Sequence, residues 1–458
     1  MEIRHAGMDM LHGSLWDKIL WFTVPLAFTS MLQQLYNTTD VMVLGRFEGE
    51  AAMAALGSNI PVIGLLVNLF VGMSLGANVV AARYIGMRDL KSANLTVYTA
   101  LNFALLSGIA VALPGIAFSG AITSLLGCPP DVAPLSVSYL SWIMAGMPFL
   151  SLFNFEAALL RADGDTATPL KALVIASAFN LCADLACSLL GLGIAGVAAS
   201  TSAANAVSAL YLFLKLLHNR GVLRFDPSKK GTFEWRKARA IILIGLPAGI
   251  QGMVFSVSNL VIQSAINSLG EQTMAASAAA FTIEINVYSF VAGFGMAATT
   301  FVGQNYGAGD LGRCRRAVRD SMILDAIVTV ILCASVALCG RWLLGFFTED
   351  PEVVCLGMQR LVWVQLFDII CVPFEVLSGA MRGYGWSLPP AIATLVCIVG
   401  ERMIWVFTVF KAAPLFRSLL ITYPVSWTVA LPPIIALYLM LMRRLSKEAA
   451  NGGSHDEK

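Results

Sequence analysis

The stretch GEAAMAA at residues 49–55 returns as GEQTMAA at residues 270–276, 221 residues later. The same spacing relates GMRDL at 86–90 to GAGDL at 307–311, and RADG at 161–164 to RGYG at 382–385. The register holds over about 120 residues, which chance does not preserve, so we interpret it as an internal duplication. The fold therefore has to consist of two related halves.

The bulk composition indicates that the solvent of this chain is a lipid bilayer. Of its 458 residues, 57% are hydrophobic and 13% are charged, whereas soluble domains carry about 25% charged residues. Long apolar stretches recur at 61–82, 95–122, 241–269, 322–338 and 419–442. A spanning helix needs about 20 such residues, and a barrel would instead show segments of roughly ten residues with alternating polarity. We therefore predict an all-α integral membrane fold.

We predict twelve transmembrane helices, six in each half. An even number returns the chain to the side where it began, so the two six-helix bundles share one orientation and are pseudo-symmetric, with a substrate site expected near the midplane between them. The predicted helices lie at 16–45, 52–83, 93–121, 134–160, 167–190, 194–217, 239–268, 273–304, 315–347, 354–381, 387–410 and 418–443.

This pattern divides the chain into four segments. Residues 1–217 form an N-terminal lobe, and residues 239–445 form a C-terminal lobe. Between them, 218–238 is predicted to be a polar and basic linker, and 446–458 a disordered cytoplasmic tail.

The distribution of Lys and Arg predicts the orientation. Most of the 30 basic residues fall on the side that carries both termini and the linker, which places that side in the cytoplasm. The opposite side is assigned five: Arg46, Arg341, Arg360, Lys411 and Arg417. Arg402 falls inside a helix. We expect a multi-pass protein of the plasma membrane, which in a bacterium is the inner membrane, with both termini cytoplasmic.

Several function classes find no support in the sequence. The net charge of +2 gives no indication of a nucleic-acid partner. The four histidines lie in the termini and the central loop, and the nine cysteines include no CxxC pair, so we expect no metal cluster and no cofactor. No GxxxxGK[ST] phosphate loop occurs, and no His- or Asp-rich catalytic cluster is visible, so we expect neither an ATP-driven protein nor an enzyme.

The landmarks of both halves together resemble the multidrug and toxic compound extrusion (MATE) family. They are Pro25 and LYNTTD at 35–40 in helix 1, RYIG at 83–86 and GQNYG at 303–307, and LRADGD at 160–165 and MRGYG at 381–385. The resemblance covers nearly the whole chain. It implies a V-shaped pair of six-helix bundles that exports cationic or amphipathic small molecules in exchange for H⁺ or Na⁺. We expect these molecules and the lipid bilayer as partners, and a monomer.

Ionisable residues at membrane depth are the first candidates for function, because each costs at least roughly 2.5–3.5 kcal/mol to insert. Asp40 and Asp184 are the leading pair. Asp184 follows Asn180 by four residues, which puts both on one helix face, and Pro25 permits a kink in the helix of Asp40. Two carboxylates that face one dry cavity cannot both ionise cheaply, so the pair is expected to exchange a proton near neutral pH or to bind Na⁺.

The resemblance implies the rest of this site. In archaeal and DinF-like members, a helix 1 aspartate and an Asn-x-x-x-Asp pair in helix 5 form a cation site with a helix 4 tyrosine and a helix 6 threonine. The matching residues here are Asp40, Asn180, Asp184, Tyr139 and Thr201, with serines on either side of Thr201. The match places the chain nearer to the DinF-like branch than to NorM-like members.

The second half departs from this pattern. The positions that match Asn180 and Asp184 are Glu401 and Trp405. NorM-like members use a helix 7 glutamate, which this chain lacks, and a helix 10 aspartate, from which Asp368 is about one turn away. The remaining second-lobe candidates are Glu284, Asp368, Glu375 and Glu401. We expect the second lobe to be the less charged one, and the role of Glu401-Arg402 stays open.

The substrate cavity is predicted from side-chain type alone. Flexible methionine and aromatic side chains suit a permissive apolar pocket, although ordinary helix packing explains each of them equally well. The candidates in the first lobe are Met31, Gln33, Gln34, Tyr36, Met147, Phe153 and Phe155.

An alternative function is a flippase for lipid-linked oligosaccharide or lipid from the same superfamily. Such proteins tend to line the cavity with several basic residues, and here Arg402 is the one clear example.

Overall fold

The computed structural model describes residues 7–218, 223, 225 and 233–450, and all regular elements in these ranges are helical. The first six long helices are α1 (Trp16–Phe47), α2 (Glu50–Gly86), α3 (Leu90–Ala117), α4 (Ala133–Ala162), α5 (Ala167–Leu189) and α6 (Gly193–His218). The second six are α7 (Trp235–Asn267), α8 (Glu271–Gly307), α9 (Leu311–Gly345), α10 (Pro351–Gly383), α11 (Leu388–Phe410) and α12 (Phe416–Ala450). All twelve predicted helices are therefore present.

The helix boundaries themselves repeat along the chain. Helices α2 and α8 begin at Glu50 and Glu271 and end at Gly86 and Gly307, so both ends are offset by 221 residues. Helices α5 and α11 show the same offset at both ends. The duplication seen in short motifs therefore extends to the whole helical framework.

Eleven helices, α2 to α12, are long and apolar enough to cross a membrane by length and composition. Helix α1 is 32 residues long, but its second half carries a polar run that includes Gln33, Gln34 and Asp40 and lowers its mean hydropathy. A helix of 32 residues extends about 48 Å at 1.5 Å per residue, which exceeds the roughly 30 Å hydrocarbon core. Length therefore qualifies α1 as the twelfth span, and its polarity indicates that one face is turned away from lipid.

Two helices of the second half are irregular. A 3-10 turn at Asp368–Ile370 interrupts α10 between Pro351–Gln365 and Cys371–Gly383. In α11, the π-helical segments Leu395–Gly400 and Val406–Phe410 lie on either side of the α-helical turn Glu401–Trp405. Short π-helical turns occur frequently at functional sites.

The chain forms two compact units. Unit 1 comprises Met1–Ser256 and Gly303–Asp310, and unit 2 comprises Val257–Val302 and Leu311–Lys458. The lobe boundaries at 217 and 239 follow the repeat and stay a prediction. Helix α12 continues through residues 446–450 of the predicted tail. The remainder of that tail, 451–458, and linker residues 219–222, 224 and 226–232 lie outside the described residues.

Helix α4 is the centre of unit 1, where it packs against α2, α3 and α6. Its contacts are made largely by small side chains, and Ala157 and Ala158 of α4 and Ala77 and Ala81 of α2 are almost fully buried. Small residues bring helix backbones close together, which is how helices associate when lipid removes the hydrophobic driving force between them.

Two glycines related by the repeat allow the ends of α2 and α8 to meet backbone to backbone within unit 1. A Cβ on Gly86 would lie 1.9 Å from the carbonyl oxygen of Gln304, and a Cβ on Gly307 would lie 2.2 Å from that of Arg83. Arg83 and Gln304 are also 221 residues apart, so the contact is pseudo-symmetric. A side chain at either glycine would displace backbone atoms.

We expect Gly86→Ala and Gly307→Ala each to destabilise the protein by about 1–3 kcal/mol, because the added methyl overlaps backbone with no room to move. Gly64→Ala in α2 is the matched control, since nothing lies within 4 Å of its Cβ position and alanine is the better helix former. Thermal unfolding of the detergent-purified chain measures all three. Equal midpoints for the Gly86 variant and the control would contradict the close approach.

Candidate functional site

A buried polar site in unit 1 joins α1, α5 and α6. Asp40 is 4% exposed and Asp184 is fully buried. The hydroxyl of Thr201 donates to Oδ2 of Asp40 at 3.0 Å, and the hydroxyl of Ser200 donates to Oδ1 of Asp184. Two neighbouring residues of α6 thus each hold one of the two carboxyl groups.

The other predicted members of the site are present as well. Asn180 lies one turn before Asp184 on α5 and is 1% exposed. Tyr139 of α4 is 5% exposed and lies within electrostatic range of both aspartates. The structure therefore brings together all five residues that the resemblance implied, from α1, α4, α5 and α6.

Three buried polar atoms of this site make no hydrogen bond within the described part of the chain. They are Oδ1 of Asp40, Oδ2 of Asp184 and Nδ2 of Asn180. Buried polar groups in proteins are nearly always paired, so these atoms have bonding capacity left for a proton, a cation or water. Two adjacent carboxyl groups with one free oxygen each suit a bound proton or a monovalent cation, because either removes the repulsion between the two charges.

Sequence reasoning missed two features of this site. Ser200 was considered only as a neighbour of Thr201, yet it is the hydroxyl that contacts Asp184. Tyr36 was assigned to the substrate cavity, and the structure places its hydroxyl 3.3 Å from the backbone oxygen of Thr201, to which it donates. The spacing of one helical turn between Tyr36 and Asp40 was the available signal for the second feature.

The remaining cavity candidates separate into two groups. Met147, Phe153 and Phe155 are at most 3% exposed and belong to the apolar cores of unit 1. Met31, Gln33 and Gln34 on α1 are half-buried. Helix α1 continues through Pro25, whose carbonyl oxygen accepts a hydrogen bond from the Thr29 hydroxyl at 2.7 Å. The α1 side chains, rather than the buried aromatic ones, are placed to meet a ligand.

Unit 2 contains an ion pair that the sequence did not suggest. Arg360, which the charge distribution assigned to the outer side of the membrane, lies inside α10 and is 2% exposed. Its Nε and Nη2 atoms donate to the two carboxylate oxygens of Glu284, each at 2.9 Å, and its Nη1 atom donates to Ser277. A two-pronged contact of this kind is the strongest ion-pair geometry in proteins.

The other second-lobe acids have different partners. Glu375 accepts a hydrogen bond from the Tyr288 hydroxyl at 2.6 Å and lies 3.7 Å from Arg382. Asp325 accepts from the Thr329 hydroxyl at 3.1 Å. Asp368 is 4% exposed and has Glu284 as an electrostatic neighbour. These acids are spread over α8, α9 and α10.

Glu401 and Arg402 do not form an ion pair with each other. Glu401 accepts a hydrogen bond from the Thr422 hydroxyl at 3.2 Å. Arg402 is 4% exposed, donates to the Ser426 hydroxyl at 3.2 Å, and lies with its guanidinium 4.7 Å from the centre of the Tyr423 ring. The second lobe, expected to be the less charged one, buries charges of both signs, as Arg360, Arg402, Glu284 and Asp368 show.

Two repeated six-helix halves with buried ionisable residues define a class of protein, the membrane transporters built from internal repeats. The MatE family model matches residues 25–185 and again residues 247–406, once in each half. The chain therefore belongs to the MatE family. It is a multi-pass membrane transporter and not an enzyme.

One sequence relative and two solved structures illustrate the likeness. The "Probable multidrug resistance protein YoeA" of Bacillus subtilis (strain 168) is 26% identical over 441 residues, which is 94% of this chain and 95% of the relative. A multidrug resistance MATE family transporter of the MOP superfamily, solved in an outward-facing conformation, gives a TM-score of 0.88 at 22% identity and covers 96% of this chain and 99% of its own. A MOP superfamily transporter from Pyrococcus furiosus with a binding pocket of reverse polarity gives a TM-score of 0.85 at 22% identity. That match covers 96% of this chain and 98% of the solved one. The twelve-helix prediction is thereby confirmed.

The Arg360–Glu284 pair generates a stability prediction. Glu284→Gln leaves the Arg360 charge buried without its partner, so we expect a loss of about 3–5 kcal/mol in unfolding free energy. The double variant Glu284→Leu with Arg360→Met removes both charges and should recover most of that loss. Thermal unfolding in one detergent measures the wild type and both variants. A single variant as stable as the wild type would show that the pair is not needed to compensate the buried charge.

Proposed function

We propose that this chain is a secondary active multidrug exporter that moves amphipathic or cationic small molecules out of the cell in exchange for H⁺ or Na⁺. The observation that carries the proposal is the Asp40–Asp184 site, where two buried carboxyl groups each keep one oxygen without a hydrogen-bond partner in the described residues. The multidrug resistance names of the relative and the solved structure support the export of small molecules.

Electrostatic repulsion gives this site a means of coupling. Two like charges 4 Å apart repel by about 4 kcal/mol at the effective dielectric of a protein near its surface, and by more in a dry interior. One bound proton or cation removes that repulsion, and its release restores it. A ligand shifts a conformational equilibrium only by its differential affinity for the two states, and this repulsion is a source of such a difference. A cationic substrate competes for the same negative charge, which favours exchange over co-transport.

The donor atoms suit either coupling ion. Carboxylate oxygens of Asp40 and Asp184 alone can hold a proton. With the hydroxyl of Thr201 and the amide oxygen of Asn180 they form a set of oxygen ligands, which hard metal cations such as Na⁺ prefer. Both ions therefore stay in the proposal, and transport under separate gradients distinguishes them.

The cellular setting follows from charge and fold. We propose a monomer in the plasma membrane, the inner membrane of a bacterium, with both termini in the cytoplasm, because most basic residues lie on that side. The acid site on α1 and α5 supports the DinF-like branch over the NorM-like one.

The flippase alternative loses support from the arrangement of charge. Of the two arginines buried within α10 and α11, Arg360 is neutralised by Glu284, which leaves Arg402. A cavity that holds a lipid pyrophosphate is expected to offer several free cations, so export of small molecules is favoured.

Transport by proteoliposomes tests the proposal. With a pH gradient or a Na⁺ gradient imposed separately, we expect the wild type to move a fluorescent cationic dye under at least one of them. Asp184→Asn and Asp40→Asn should reduce this export to background while the protein still inserts and purifies normally, because the negative charge that binds the ion is lost. The matched control is Asp131→Asn, which removes an exposed carboxyl of the same unit.

A variant of unit 2 tests which unit carries coupling. We expect Glu401→Gln to be tolerated better than Asp184→Asn, because Glu401 is half-buried and its charged neighbour is the cationic Arg402 rather than a second carboxylate. Greater damage from the Glu401 change would move the coupling site to unit 2, and export under neither gradient by the wild type would overturn the exporter function.

A further inference from the structure

The duplication predicts where a counterpart of the acid site lies in unit 2. At the offset of 221 residues, Tyr139 corresponds to Arg360, Asn180 to Glu401, and Thr201 to Thr422. The helices that carry these residues, α4 with α10, α5 with α11, and α6 with α12, match along the repeat. The second half therefore keeps the scaffold of the site and changes its side chains.

The counterpart residues do gather within unit 2. The Thr422 hydroxyl donates to Glu401 at 3.2 Å. The guanidinium groups of Arg360 and Arg402 lie 5.6 Å and 4.7 Å from the centre of the same Tyr423 ring. Where the first site presents two aspartates, this second site presents two arginines around a tyrosine, so its charge is partly reversed.

The two arginines differ in how their charges are balanced. Arg360 donates to both carboxylate oxygens of Glu284. Arg402 donates to neutral groups, the Ser426 hydroxyl at 3.2 Å and Oδ1 of Asn259 at 3.5 Å. No carboxylate in the described ranges lies within ion-pair distance of Arg402, and the adjacent Glu401 attracts it only at longer range.

A buried guanidinium without an anion is costly, because transfer of a charge out of water is repaid only by pairing. Arg402 offers five N–H donors, of which those on Nε and Nη1 have partners in the described residues. A free carboxylate or phosphate oxygen would supply the missing charge and use the remaining donors.

The surroundings of Arg402 allow a ligand to approach. Arg402 itself is buried, but Asn259 of α7 is exposed and Tyr423 of α12 is half-buried. The turn that carries Arg402 lies between two π-helical segments of α11. A helix distorted on both sides of a buried charge is typical of a functional position rather than of passive packing.

We propose that Arg402, with Asn259, Ser426 and Tyr423, binds the oxyanion of a small amphipathic substrate, a carboxylate or a phosphate group, within unit 2. This inference rests on the proposed exporter function, because it names part of the substrate. The guanidinium pairs with the oxyanion, the Asn259 amide N–H donates to it, and the Tyr423 ring covers an apolar part of the molecule. The Ser426 hydroxyl, which donates to the Tyr423 backbone oxygen, accepts from Nε of Arg402 and holds the guanidinium in place. Molecules that carry a carboxylate or phosphate group are the predicted preferred ligands of this site.

Two fluorescent dyes that differ in one carboxylate test this inference. Rhodamine 123 is a cationic methyl ester, and rhodamine 110 is the corresponding free acid. Their binding to the full-length chain in neutral detergent is measured by fluorescence polarisation for the wild type and for Arg402→Gln. We expect the variant to weaken rhodamine 110 binding about tenfold or more, since a charge-assisted hydrogen bond is lost, and to change rhodamine 123 binding by less than about twofold.

Two further variants keep the test independent of folding. Asn259→Ala alters an exposed residue and should also weaken rhodamine 110 selectively. Arg444→Gln removes an exposed arginine of the same unit and should leave both dyes unaffected. Equal weakening of both dyes by Arg402→Gln, or rhodamine 110 binding by wild type that is absent or no tighter than that of the variant, would overturn the proposal.

Competition by lipids distinguishes the two possible sources of the oxyanion, a lipid headgroup and a free small molecule. If phosphatidylglycerol displaces rhodamine 110 from the wild type while phosphatidylcholine does not, the group recognised is the headgroup of an anionic lipid, and the substrate assignment is overturned. These binding measurements need no ion gradient. The exporter function is tested separately by transport, so a chain that binds rhodamine 110 through Arg402 but exports nothing would refute the function and not the anion site.

Discussion

A charge at membrane depth has to be balanced by another charge, by hydrogen bonds or by a bound ligand, and this requirement organises both units. A charge that is left unbalanced at membrane depth costs several kcal/mol. Glu284 is balanced by Arg360, and Glu375 by Tyr288 and Arg382. Asp40 and Asp184 receive one hydroxyl each from neighbouring residues of α6, which satisfies one oxygen per carboxyl and leaves a binding capacity. The function we propose depends on the carboxyl oxygens of Asp40 and Asp184 that have no hydrogen-bond partner in the described residues.

The duplication supplies one scaffold for two different sites. Identical offsets of helix ends show that the framework has been kept, while the polar positions on it have diverged. At the repeat offset, Tyr139 corresponds to Arg360 and Asn180 corresponds to Glu401. Equivalent positions of the two halves therefore carry different charges. Each unit therefore carries a polar site of its own character on a shared scaffold.

Much of the fold and of the first site was predictable from the sequence. Apolar stretches of spanning length and a repeat of fixed period determine the helices, and a family motif determines Asp40, Asn180 and Asp184. The Arg360–Glu284 pair escaped prediction because the two residues lie on different helices and are 76 residues apart in the chain, so no local pattern links them. The π-helical segments around Glu401 escaped as well, because hydropathy reports which residues enter the bilayer and not how their backbone winds.

The central claim is that the carboxyl pair in unit 1 binds the coupling ion. Infrared difference spectroscopy of the full-length chain in bilayers tests it directly, since the C=O stretch of a protonated carboxyl is visible as the pH is stepped or Na⁺ is added. We predict a protonated-carboxyl band in the wild type that changes on addition of Na⁺ or a cationic substrate, persists in Glu401→Gln, and is absent from Asp184→Asn. A band that is unchanged in Asp184→Asn and lost in Glu401→Gln would contradict the account.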